Sequence, residues 1–127
     1  MSEYYNEARK LLKEQLGSLK KQGLRVFINK STDYCYGLIS DGKDIAYIEK
    51  TIGAVFSLSY QYVPTKGWGD GVSYFQRYEG KSNLCREDFD QCVSYGRSFA
   101  ESRGIPLYKG LKEYMKDPWN QTNYIEL

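Results

Sequence analysis

At Gly23 the period of the hydrophobic pattern changes from 3.6 to 2, and this switch constrains the fold more than any other feature of the chain. Before it, Tyr4, Ala8, Leu11, Leu12, Leu16 and Leu19 recur at the spacing of one helix face. Ser2 is placed to cap that helix and Gly23 to end it. Glu3 and Glu7 near the start and Lys20 and Lys21 near the finish suit the helix dipole. Gly17 is the weak point of the helix interior. After the switch, Leu24, Val26 and Ile28 alternate with Arg25 and Phe27 in a first strand. Tyr34 to Ser40 and Asp44 to Lys50 are the next two, joined by the Asp41-Gly42 turn. Ala54 to Val63 is the longest, with Phe56, Leu58, Tyr60 and Tyr62 on the inward face and Val55, Ser57, Ser59 and Gln61 on the other. Val72 to Tyr78 completes a meander of about five antiparallel strands.

Helical spacing returns after the polar residues Glu79 to Asn83, carried by Leu84, Phe89, Cys92, Val93, Gly96, Phe99 and Ala100. Ser82 or Asn83 is the expected cap, and Gly104 with Pro106 the expected stop. Leu107, Leu111, Tyr114 and Met115 mark one more short helix, halted by Pro118. In the tail beyond it, Trp119, Tyr124, Ile125 and Leu127 are the available anchors. The expectation is one α+β domain over residues 1–127: an N-terminal helix, a meander sheet of about five strands, then two C-terminal helices, in a two-layer sandwich with one sheet face open.

Aromatic residues make up 16% of the chain, and 13 of them are tyrosines, so much of the core must be tyrosine. Rings are expected inward at the core margin with hydroxyls directed outward. Eighteen basic residues against 16 acidic ones give no strong overall field, although residues 1–30 hold seven Lys or Arg against three Glu. Cys35, Cys85 and Cys92 are an odd set without metal-ligand spacing, which suits a reducing cytoplasm, and Cys85 and Cys92 share a helix face as core thiols. No apolar run reaches the roughly 20 residues of a membrane span.

Catalytic signals are weak. The chain has no histidine, the commonest base for a serine or cysteine nucleophile. Asp33, Asp41, Asp44, Glu49, Asp70 and Glu79 fall in turns or at strand ends, where solvated carboxylates are the ordinary expectation. Three scattered thiols do not make a zinc shell, and no cofactor motif is present. The turn PTKGWGDG runs into a strand and not a helix, unlike a phosphate loop. Its Trp68 puts an indole where water is the expected neighbour, so with Tyr62, Lys66, Asp70 and Arg77 it is the expected partner-contact patch. The alternative is a single-stranded nucleic-acid binder, with sheet tyrosines stacking on bases and Arg25, Lys43, Lys66 and Arg77 meeting phosphates. A small enzyme is a third, lower-ranked reading.

The order DYCYGLISDGKDIAYIEK followed by SYQYVPTKGWGDGVSYF, within residues 33–76, resembles small proteins of phages and integrative elements. In these a strand, an Asp-Gly turn, a second strand and an aromatic-Pro-to-Gly-x-Gly loop follow one another. Where those proteins carry a basic residue or histidine before the proline, this chain has Tyr62-Val63. Proteins of this size from such elements are often counter-defence factors, including anti-CRISPR proteins. The resemblance therefore implies a non-enzymatic binder that blocks a larger host protein or nucleoprotein, such as a CRISPR effector, and carries over no catalytic residue.

Overall fold

The computed structural model describes residues 3–32, 34–50, 55–63 and 78–127. Helix α1 (Glu3–Lys21) is followed by strands β1 (Arg25–Asn29), β2 (Tyr36–Ser40), β3 (Ile45–Lys50), β4 (Phe56–Tyr60) and β5 (Tyr78–Lys81). Helices α2 (Arg86–Arg103), α3 (Leu111–Tyr114) and α4 (Pro118–Asn123) come next, and strand β6 (Tyr124–Glu126) closes the order. The strands form one antiparallel sheet, β5-β4-β3-β2-β1-β6, a meander to which the C-terminal strand adds a sixth member beside β1. The α+β arrangement of helix, antiparallel sheet and C-terminal helices is the one the periodicity predicts.

One sheet face carries the main core. Leu12, Leu16 and Leu19 of α1 and Phe89, Cys92 and Ala100 of α2 pack on Val26, Ile28, Ile39, Ala46, Ile48, Phe56, Leu58, Tyr60 and Tyr62. Burial of each large apolar side chain contributes about 1.5–3 kcal/mol, which is why the period-2 and period-3.6 stripes converge here. Polar groups fix how the two helices meet. The buried Gln15 side chain donates from Nε2 to the Leu84 carbonyl at 2.8 Å and accepts the Leu84 N–H on Oε1 at 2.9 Å. It thereby ties α1 to the residues just before α2.

Several local expectations are replaced. The cap of α2 is Cys85 and not Ser82 or Asn83, because Asp88 reaches back to the Cys85 N–H at 2.8 Å and is itself paired with Lys81. Cys85 is consequently exposed at the helix end while Cys92 is buried, so the two thiols do not share the core. Strand β5 includes Gly80 and Lys81, residues whose polarity suggests the end of the sheet. Pro118 begins a helix instead of stopping one: Asp117 caps α4 by accepting the Trp119 N–H at 2.8 Å, and a first-turn proline has no N–H to leave unpaired. Ser2, the expected cap of α1, lies outside the described residues.

The second sheet face differs most from the sequence expectation, which left it open. Phe27, Leu38 and Ile45 on that face are covered by Leu111 and Tyr114 of α3 and by Tyr124 of β6, with Tyr108 and Met115 beside them. The C-terminal segment crosses this face after leaving α2. Its entry is fixed at the β2–β3 hairpin, where the Leu111 N–H donates to the Gly42 carbonyl at 3.0 Å. Gly110 has φ +152°, and a Cβ there would sit 3.1 Å from that same carbonyl oxygen, so only glycine allows the two backbones to approach this closely.

Candidate functional site

Beyond the covered centre, the second face carries a connected strip of rings. Tyr34 stacks on Tyr36 with centroids 5.2 Å apart and planes inclined by 22°. Tyr36 lies 5.0 Å from Tyr47 and 6.4 Å from Tyr124, and Tyr124 meets Trp119 edge to face at 6.2 Å. Strand register produces the middle of the strip. Tyr36 pairs with Glu49 and Tyr47 with Leu38, so both rings fall on the face that Leu38 and Phe27 share, and Tyr124 joins them opposite Asn29. The two ends of the strip are open to solvent, Tyr34 at 52% and Trp119 at 49% exposure.

The backbone under both open rings is anchored. The Arg9 guanidinium, reaching from α1, donates to the carbonyls of Asn29 and Ser31 at 2.8 Å each and of Tyr34 at 3.3 Å. The backbone around Tyr34 is thus pinned by a charged donor shared among three carbonyls. At the other end, the Asp117 cap and the bond from Asn123 Nδ2 to the Trp119 carbonyl at 2.8 Å fix the turn bearing the indole.

Residues close in sequence to each end line a basic groove. Near Trp119, Lys109, Lys112 and Lys116 line a groove of about 380 Å3 together with Gly42, Gly110 and Glu113. The Glu113 carboxylate there is engaged by the Lys109 backbone N–H. Near Tyr34, Arg9, Lys10 and Lys13 line a second groove of about 330 Å3 with Asn6, Glu14 and Thr32. None of the five lysines of these two grooves is ion-paired among the described residues.

Two thiols are held towards their protonated form, Cys35 and Cys92. Burial pushes the Cys35 thiol up from its ordinary value, and it pushes Cys92 up to about 12. Neither is a ready thiolate nucleophile at neutral pH. Among the described residues no group of three or more His, Cys, Asp or Glu could hold a metal ion. No helix of the described residues is long and apolar enough to cross a membrane.

Of the residues the sequence suggests for partner contact, Lys66, Trp68, Asp70 and Arg77 lie outside the described residues. Tyr62 is described, and it is wholly buried: its hydroxyl donates to the Gly96 carbonyl at 3.0 Å and its ring packs on Tyr60 and Phe99. It supports the core from within and offers no surface. Asp44 is not a solvated turn carboxylate either, since it is buried, accepts from the Tyr60 hydroxyl at 2.7 Å and pairs with Arg97 at 3.1 Å. Tyr60 and Tyr62 therefore find partners for their hydroxyls inside the protein, and burial raises the pKa of both. Arg25, expected to meet phosphate, is engaged by Glu126 through two bonds of 2.7 Å.

Sequence reasoning missed Arg9, Tyr34 and Trp119 as site residues. The signal for Tyr34 and Tyr36 was present, because two tyrosines two apart at the start of a strand share a face. Trp119 carried none, because its place depends on the helix that Pro118 starts. Comparison with protein-family models, with curated proteins and with solved structures gives no match.

Proposed function

We propose that this chain is a small non-enzymatic binding protein that acts one-to-one by covering a surface of a larger protein or nucleoprotein in the cytoplasm. The observation that carries the reading is the ring strip. Tyrosine and tryptophan dominate binding hot spots, and here the backbone beneath two half-exposed rings is anchored by Arg9 and Asp117 while each ring packs on a neighbouring tyrosine. Backbone order already present in the free protein lowers the entropic cost of association. The raised pKa values of Cys35 and Cys92 disfavour those two thiols as nucleophiles. The resemblance of residues 33–76 to phage and integrative-element proteins supplies the class of partner, a host defence complex such as a CRISPR effector nuclease.

The test is a titration of the purified chain into a CRISPR effector cleavage reaction. Inhibition is expected to rise linearly and reach its plateau at one equivalent. Tyr34→Ala combined with Trp119→Ala, folded by circular dichroism, is expected to weaken inhibition by tenfold or more. Full inhibition by that double variant, together with its loss in Lys66→Glu and Trp68→Ala, would move the contact to residues 64–71. Effector activity unchanged at every ratio would remove this partner class.

A further inference from the structure

Lys116 lines the lysine groove, and Trp119, three residues on and exposed like it, ends the ring strip. Three residues of chain keep their Cα atoms within about 11 Å. From Trp119 the rings continue through Tyr124 and Tyr36 to Tyr34, two residues beyond Thr32 of the second basic groove. Lysines thus lie a few residues from each exposed ring, Trp119 and Tyr34, while Tyr124 between them is buried. From this juxtaposition we propose that the surface seats a single-stranded nucleic acid, with phosphates over Lys112 and Lys116 at one end and Lys10 and Lys13 at the other, and bases against Trp119 and Tyr34. The inference rests on the binding reading above and names the chemistry of what the strip meets.

Two features suit a nucleic-acid strand, free or carried by a nucleoprotein partner. The groove cations are unpaired among the described residues, and a partner that leaves them so gains nothing from their arrangement. The open rings present flat faces, which any base can stack on. A duplex cannot use the rings, because its bases are already stacked and paired.

The experiment is fluorescence anisotropy of a labelled twelve-nucleotide polythymidine strand with the full chain at low salt, repeated over a salt series and with a duplex of equal length. Saturable binding is expected, with log affinity falling against log salt at a slope between about −1.5 and −3.5, for two to five neutralised phosphates on a single strand. Lys112→Ala with Lys116→Ala, both exposed, is expected to flatten that slope by about 1.4. Trp119→Ala is expected to weaken binding by about five- to a hundredfold with the slope unchanged. Where Trp119→Ala perturbs the fold, quenching of the Trp119 indole by the strand in the native chain reads the same contact, once Trp68→Phe has removed the other indole. Duplex binding as tight as the strand, or affinity indifferent to Trp119 and Tyr34, would overturn the inference by reducing the surface to a general polyanion site. No strand binding at low salt would also overturn it. Stoichiometric effector inhibition in that same preparation would leave the protein-binding reading standing, so the two failures are distinguishable.

Discussion

Gly96 and Gly17 sit on helices of the same protein, yet the space around them predicts opposite consequences for one added methyl group. A Cβ at Gly96 would lie 2.4 Å from Cγ of Tyr60, whose ring is buried and whose hydroxyl is committed to Asp44. Neither the ring nor α2 can withdraw without disturbing the Tyr62 bond to the Gly96 carbonyl. Gly96→Ala is expected to cost about 1–3 kcal/mol, the usual range for overpacking. At Gly17 nothing lies within 4 Å of such a Cβ, so Gly17→Ala is expected to stabilise by about 0.5–1 kcal/mol through helix propensity alone. Urea denaturation of the two variants beside the parent protein measures both, and a neutral Gly96→Ala would contradict the close approach of α2 to β4.

The elements differ in how far the sequence announces them. Helix α1, strands β1 to β4 and helix α2 were legible because each buries its stripe against the same core, so periodicity and burial report the same thing. The C-terminal elements were not. α3 and α4 have four and six residues, too few to display a period, and their positions are set by contacts remote in sequence: Gly42 with Leu111, and Val26 with Leu127. β6 has three residues, of which only Tyr124 is buried, and it exists because β1 offers a free edge. The candidate site was legible only in its β-strand part, since Trp119 and the Lys109–Lys116 groove depend on those short elements. Removal of residues 124–127 is expected to uncover the β1 edge and delete the ring joining Tyr36 to Trp119. The truncated chain should melt at a lower temperature and self-associate on size-exclusion chromatography. A monomer of unchanged stability would show that β6 is an ornament on the sheet.

At the scale of the whole molecule, buried weak acids make stability depend on alkaline pH. Cys92 and Tyr108 are each pushed up to about 12 by burial, and Tyr60 and Tyr62 are raised as well. A group whose folded pKa lies above its unfolded value keeps its proton in the native state while the unfolded chain has lost its own. Its stabilisation is full below the unfolded pKa and disappears as pH rises towards the folded one. For Cys92 that window opens near pH 8.5 and for the tyrosines near pH 10. Urea midpoints are therefore expected to be level around neutrality, to decline above about pH 8.5 and to fall more steeply above pH 10. Cys92→Ala should shrink the first part of the decline to what Cys35 contributes and keep the second.

The C-terminal segment seals the second core with Leu111, Tyr114 and Tyr124 and also carries Lys112, Lys116 and Trp119 to the surface. A ligand gripping those outward side chains would clamp the same stretch of chain whose detachment opens the protein. Occupancy at a hundred times the dissociation constant would deepen the native well by about 2.7 kcal/mol. A rise in melting temperature would thus announce the true ligand before its chemistry was known.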